Sequence, residues 1–564
     1  MIENRKIVAY GVVLLALPFL LVAANPVWLT NTVGDLDVWM YYGYLNHLFQ
    51  FSSLDIWQEN AYIGTRIPYI LPAYIVHTLF GDDNYRYIFG ICVIYSSIVF
   101  SYFYILVKYL PLWKAAAMTV MIALNFYLLR SIGWDYVDRG EAAYEALTFA
   151  LLTLAGTTKR PWIATIGAGF AAASMVFVHL ATGLLFPVFF LYSGFVVRRA
   201  RSVRDWAAHA GHLLLFGSLG AALAQLVFGS LLVLLHGGDF FFILRQILVV
   251  PTNAGGWNEP LPFLLTQGFW ITPHLAAFIG AALALIAGRL RPHLAAQTRF
   301  ESFWLWLITI GYAVLFYGEL SHKLFFFSRE GLYATMFIPF SMIGFGLLLF
   351  RTPTTGLFAV TAAVAAGSVL LRLGIQDGVG LSAYLRIPVP VLGVTAGALL
   401  VLAFVCRRRG VTLAVLVMLG LLDGFNGWHF TADGPIRAAH ARILRDTGSR
   451  LPIFLFDDAD PAIGTVWSVV GTFTDRALFT SRTVSALSPA ALNGNAVLKP
   501  LWGKAAPVIT LQDGDPVVIL SSSEDRVDAT TPSTLFHLVR EAKLVDSFRA
   551  GDLQAHVFTV TSSH

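Results

Sequence analysis

The feature that most constrains this chain is a series of apolar runs separated by short clusters of lysine and arginine. Most runs are about 16 to 25 residues long, enough for a helix to cross or nearly cross a hydrocarbon core of about 30 Å. The first reads "IVAYGVVLLALPFLLVAA" over residues 7–24. Comparable spans are expected at roughly 7–26, 86–107, 112–131, 142–157, 162–178, 180–197, 209–235, 269–288, 302–318, 331–350, 354–372, 388–405 and 411–426. Only 13% of the 564 residues are charged and 57% are hydrophobic, whereas a soluble domain carries about a quarter charged residues. The expected fold class is a polytopic α-helical membrane protein with about 13 transmembrane helices.

The basic clusters set the orientation. With Arg5 and Lys6 inside, the later clusters fall on the same side: Lys108/Lys114, Lys159/Arg160, Arg198/Arg199/Arg201/Arg204, Arg289/Arg291/Arg299, Arg351 and Arg407/Arg408/Arg409. That is the positive-inside pattern of a multi-pass protein of a bacterial-type cytoplasmic (inner) membrane. The net charge of +5 resides mostly in these loops and implies no nucleic-acid partner. "AANPVW" is a poor cleavage site, so the first helix is expected to be retained. Cys92 falls inside an apolar run and Cys406 at the end of another, beside Arg407, Arg408 and Arg409; they support neither a disulfide nor a metal framework.

An odd number of spans puts residues 427–564 outside. This segment is less apolar and carries strand-like runs ("LPIFLFDD", "PVVILSSS", "AHVFTVTS") and one helical stretch, "PSTLFHLVREAKLVDSF". Two domains are expected: a transmembrane domain over 1–426, with surface helices in its outer loop 27–85, and an extracytoplasmic α/β domain over 427–564.

The outer loops hold the candidate chemistry. The chain leaves its first span through "TNTVGDLDVWMYYGYLNH". Gly34 gives a turn, and Trp39, Tyr41, Tyr42, Tyr44 and Phe49 suit a helix lying at headgroup depth. Asp35 is placed to cap that helix. One cap needs one acid, so Asp37 is left for another role, and a carboxylate at this boundary can act as a base. "TRIPYILPAYIVHTLF", broken by Pro68 and Pro72, is expected to form a second surface helix. Its Arg66 either snorkels to headgroups or holds a phosphate. "SIGWDYVDRGEAAYEAL" gathers Asp135, Asp138, Arg139, Glu141 and Glu145. Charges at span ends are costly unless solvated or paired, and they often mark function. An Asp138–Arg139 pair or a Glu141 cap is the structural alternative. His179, in "MVFVHLATGLL", is either a hydrogen-bonded structural residue or a ligand. Loop 236–268 combines Arg245 with a Gly/Pro-rich half suited to a lid. Glu319, His322, Lys323, Arg329 and Glu330 bracket an aromatic patch in "YGELSHKLFFFSREGLY". Lys323 and Arg329 lie outside, against the usual charge bias, and so either anchor headgroups or bind an anion such as a lipid phosphate.

Together these features resemble the GT-C superfamily of membrane glycosyltransferases. The features are acids just after the first span (Asp35, Asp37), a Pro-containing basic helix in the same loop, a short acidic second loop, a late basic loop and an outer α/β tail. The resemblance is nearest to the lipid A aminoarabinose transferase and protein O-mannosyltransferase types. It covers the general plan of most of the chain rather than exact strings. It implies inverting transfer of a sugar from a polyprenyl-phosphate donor to a hydroxyl on a lipid, glycan or protein acceptor. It also implies Asp35 or Asp37 as the base, and Arg66, Lys323, Arg329 and Arg139 as donor-phosphate ligands. Asp135, Asp138, Glu141, Glu145, His179, His322 and Glu319 would line the substrate site among membrane lipids. No cofactor is required on this reading; a divalent Mg or Mn ion, if present, would sit on Asp35 and Asp37. Two other readings compete. An O-antigen-type polymerase or ligase would place its large loop in the second half of the chain. A lipid-linked sugar transporter or flippase favours midplane charges and internal repeats, and no repeat is visible here.

Overall fold

The computed structural model describes residues 2–24, 64–133, 136–236, 298–320, 335–350, 389–408, most of 410–419 and seven strands between 453 and 560. It also describes isolated positions, among them Leu29, Tyr41, Tyr44, Leu48, Asp239 and Arg442.

Helix α1 (Ile2–Ala24) is apolar from Ile7 onward and mostly exposed, as a lipid-facing span requires. Helix α2 (Ile67–Tyr85) begins with Pro68 in its first turn, where a missing N–H costs nothing. Ile67, Tyr69, Ile70 and Ala73 are buried, while Ile75, Leu79 and Phe80 are exposed. A helix thus forms over the Pro-broken segment 65–80, as expected from the sequence. A π-helical stretch, Arg86–Tyr95, leads directly into α3 (Ser96–Tyr109).

The expected span 112–131 is broken. Helix α4 (Leu112–Ala123) stops at Leu124, and α5 (Phe126–Gly133) restarts after Asn125. The Asn125 side chain accepts from the Leu128 N–H at 3.4 Å, an N-cap that favours a new helix over continuation. Helices α6 (Val137–Ala155) and α7 (Pro161–Val178) follow, the latter with Pro161 at its first position. Residues 180–197 form a 3₁₀ turn, the short helix α8 (Phe186–Leu191) and a π-helical turn.

Helix α9 (Val203–His212) opens with a reciprocal capping box between Ser202 and Asp205. It runs through a π-helical turn into α10 (Ser218–His236). Helices α11 (Arg299–Leu320), α12 (Ile338–Leu349) and α13 (Val389–Cys406) complete the described bundle.

Among the described residues, four helical stretches are long and apolar enough to cross a membrane: Arg5–Ala23, Arg86–Tyr109, Pro161–Val178 and Val203–Leu235. The expected count of about 13 also draws on 269–288, which lies outside the described residues, and on 354–372, of which only scattered positions are described.

Helix α6 is central. It packs along α7 and α3, and α7 packs against α10. The α7–α10 approach depends on missing side chains. A Cβ at Gly169 would lie 2.0 Å from the Gly217 carbonyl oxygen, and one at Gly220 would lie 2.0 Å from that of Ile166. Small residues permit such close helix contact within a membrane, where packing rather than water exclusion drives association. Phe149 on α6 meets Phe189, Tyr192, Trp304 and Phe340, mostly edge to face, tying α8, α11 and α12 into one core.

The C-terminal strands β1 (Ile453–Phe456), β2 (Ala477–Thr480), β5 (Pro516–Ser521), β6 (Ala542–Ala550) and β7 (Leu553–Val560) form one sheet in the order β2-β1-β5-β7-β6. The first three are parallel and the last two antiparallel. β3 (Asn495–Val497) and β4 (Val508–Thr510) pair separately. The three strand-like runs expected from the sequence appear as β1, β5 and β7. The expected helix over 532–548 is corrected in its second half: residues 542–548 belong to β6. Pairing along the whole of β7, with a bulge between Leu544 and Asp546, supplies a ladder that overrides the local helical pattern.

Candidate active site

Helices α6 and α7 are joined by residues 156–160, so the start of α6 and the end of α7 lie at the same end of the pair. That end carries the ionisable residues. The first turn of α6 follows Tyr136, whose backbone is extended (φ −130°, ψ 158°). Asp138, Glu141 and Glu145 share one face of α6 by their i, i+3, i+7 spacing. All three are essentially fully buried, at 0%, 0% and 1% exposure. Gly140 lies between them because α2 crosses there: a Cβ at this position would sit 2.8 Å from the Tyr69 ring. The Tyr144 hydroxyl donates to the Pro68 carbonyl at 2.9 Å and fixes the same crossing.

His179 ends α7 with extended backbone (φ −149°, ψ 110°), which turns its ring out of the helix direction. Its Nδ1 lies 2.6 Å from Glu141 Oε2. Thr182 Oγ1 donates to the His179 carbonyl at 2.7 Å and holds the break in place. Arg66, buried just ahead of α2, donates to the Tyr41 hydroxyl. The Arg66 charge acts on both Glu141 and His179, and Asp138 acts on His179. One carboxylate oxygen each from Asp138 and Glu141 and a ring nitrogen of His179 lie within 4.8 Å of one another. Deeper in the bundle, the Tyr102 hydroxyl donates to Glu145 Oε1 at 2.7 Å.

Arg139 points to different partners. Its Nε donates to the Tyr69 hydroxyl at 2.8 Å, Nη2 to the Tyr85 hydroxyl at 2.8 Å and Nη1 to the Ile132 carbonyl at 3.1 Å. Its guanidinium also lies over the Tyr69 and Phe89 rings, at 5.5 and 5.2 Å. The Asp138–Arg139 pair weighed from the sequence is not among the ion pairs of the described residues; the two neighbours diverge as helix geometry requires.

Five of the residues singled out from the sequence therefore converge: Arg66, Asp138, Glu141, Glu145 and His179. Arg139 is adjacent but enclosed by tyrosines. Asp35, Asp37, Asp135, His322, Lys323 and Arg329 lie outside the described residues, as does loop 246–268. Glu319 belongs to the last turn of α11, and its side chain is also outside those described.

The tyrosines carry no signal of their own in a chain this aromatic. Tyr41, read as a headgroup residue, is instead fully buried and held edge-on between Tyr69 and Tyr136. Tyr69 and Tyr85 supply hydroxyls that accept from the buried Arg139 guanidinium, and Tyr102 supplies one that donates to the buried Glu145 carboxyl.

No protein-family model matches the sequence, and no curated protein matches it either. Solved structures do. The chain is similar to ArnT from Cupriavidus metallidurans in the apo state, with a TM-score of 0.56 and 14% identity, over 99% of this chain and 100% of that one. It is similar to the same protein bound to undecaprenyl phosphate, with the same TM-score and identity, over 97% of this chain and 99% of that one. The resemblance read from the sequence is thus matched at the level of fold: this chain shares a fold with ArnT over nearly its whole length.

Proposed function

We propose that this chain is an integral-membrane inverting glycosyltransferase. On this reading it transfers a sugar from a polyprenyl-phosphate donor to a hydroxyl of a lipid, glycan or protein on the extracytoplasmic face. The observation that carries the reading is the fold shared over the whole chain with ArnT, one of whose structures contains undecaprenyl phosphate. The buried acids, imidazole and guanidinium at one end of α6 and α7 support it. Such groups are expensive inside a bundle and gather where a charged substrate is handled.

In this mechanism Asp35 or Asp37 takes the proton of the acceptor hydroxyl. The acceptor oxygen attacks the anomeric carbon from the face opposite the phosphate. The anomeric carbon–oxygen bond breaks, and its electron pair stays on the departing polyprenyl phosphate. Lys323, Arg329 and Arg66 offset that charge, and the lipid tail lies along apolar helices. Arg66 donates to the Tyr41 hydroxyl and lies over the Tyr41 ring.

The test is transfer in proteoliposomes with a radiolabelled polyprenyl-phosphate sugar, alongside mass spectrometry of lipid that co-purifies with the protein. Asp35→Asn or Asp37→Asn, or the pair together, is expected to lower transfer by about 10²- to 10⁴-fold while insertion persists. Wild-type transfer by both single variants and by the double variant removes the base assignment. Absence of any polyprenyl-phosphate turnover removes the donor.

A further inference from the structure

The three donor atoms at the α6–α7 end do not require the transfer reading, and we infer that Asp138, Glu141 and His179 form a site for one divalent transition-metal ion of the zinc type. Three observations converge. The ligand atoms come from a four-residue stretch of α6 and from the break that ends α7, and all lie within 4.8 Å of one another. The donor set is one imidazole nitrogen and two carboxylates, a mixed set that suits zinc better than magnesium, which prefers oxygen and keeps its waters. Third, Glu141 Oε1 is buried with no hydrogen-bond partner among the described residues, although its sister oxygen is engaged by His179. Glu145 Oε2, one turn deeper on the same face, is likewise buried without a hydrogen-bond partner among them.

Glu141 and Glu145 thus each present one buried carboxylate oxygen without a hydrogen-bond partner among the described residues, on the face of α6 that also carries Asp138.

Zinc bonds of about 2.0–2.2 Å place two ligand atoms roughly 3–4 Å apart. The contact of 2.6 Å between His179 and Glu141 must therefore open slightly, and the wider separations must close by less than an ångström. The proton now shared in the His179–Glu141 hydrogen bond is displaced, so binding releases one proton to solvent. Three protein ligands leave at least one coordination position open, as in sites that bind water or substrate.

The experiment is metal binding by the full-length protein in detergent, stripped with chelator and then titrated with Zn²⁺. The expected result is about one zinc per chain by elemental analysis, with proton release in calorimetry and a zinc-dependent rise in melting temperature. X-ray absorption should show one imidazole and carboxylate oxygens at about 2.0–2.1 Å. Glu141→Gln and Asp138→Asn are expected to weaken zinc binding by at least about tenfold, and Glu145→Gln to leave the stoichiometry intact. Gel-filtration profiles identify any variant that misfolds, and the absorption measurement on the unmodified protein does not depend on the variants. Zinc well below stoichiometric in the unmodified protein, an all-oxygen shell, or full binding by the Glu141→Gln/Asp138→Asn double variant overturns the site. These readouts do not involve sugar transfer, so either conclusion can fail without the other.

Discussion

Replacing Arg139 with lysine separates a structural cage from a phosphate ligand. Among the described residues the guanidinium donates three hydrogen bonds, at 2.8, 2.8 and 3.1 Å, and lies over two rings. A lysine ammonium keeps the charge but cannot span Tyr69, Tyr85 and Ile132 at once, so two of the three bonds are lost. Hydrogen bonds from a charged donor contribute about 1.5–3 kcal/mol each in soluble proteins, whereas interhelical bonds in membranes average nearer 0.6 kcal/mol. The expected cost of Arg139→Lys is therefore about 1–6 kcal/mol. Arg139→Met, which leaves both buried tyrosine hydroxyls without their donor, should cost more than Arg139→Lys. The assay is thermal unfolding of the detergent-solubilised protein, paired with binding of undecaprenyl phosphate to the variant held well below its melting temperature. Loss of stability with lipid affinity held within about threefold is the expected pattern. If Arg139→Lys melts like the unmodified protein while lipid affinity falls tenfold or more, the cage argument is wrong and Arg139 contacts the phosphate.

Gly140→Ala should be destabilising by about 1–3 kcal/mol, because its Cβ would lie 2.8 Å from a ring that α2 holds in place; an unchanged melting temperature would mean that Tyr69 moves freely. Tyr102→Phe removes the donor to Glu145 Oε1 and should cost about 1–3 kcal/mol, and Glu145→Gln in the same background should recover part of the loss. A Tyr102→Phe variant as stable as the original refutes that hydrogen bond. In the C-terminal sheet, Arg442 donates to Asp546 at 2.6 and 2.8 Å and holds its carboxyl well below the usual range, at about 2. A carboxyl depressed on folding stabilises above its unfolded value of about 3.9, and that contribution fades as pH falls towards 2. The melting difference between the unmodified protein and Asp546→Asn should therefore be present at pH 5 and shrink across this window; a difference that does not vary with pH contradicts the ion pair.

The sequence by itself determined the solvent this chain folds in. Apolar runs of membrane length, punctuated by basic clusters, leave helices as the spanning structures, because a backbone in hydrocarbon must satisfy its own hydrogen bonds. It also marked Arg66, the α6 acids and His179, since ionisable residues stand out against so apolar a background. The tertiary structure decided which of them meet. Glu141 and His179 are 38 residues apart, and Arg139 and Tyr69 are 70 apart. No local periodicity relates such pairs; the crossing of α2 over α6 and the break at His179 do. That crossing sends adjacent residues to opposite fates, Asp138 towards the imidazole and Arg139 into the tyrosines. It also turns Tyr41 from an expected headgroup anchor into a buried partner of Arg66. The strand at 542–550, formed against a local helical pattern, has the same origin: hydrogen bonds supplied by a distant or later segment outweigh small intrinsic preferences.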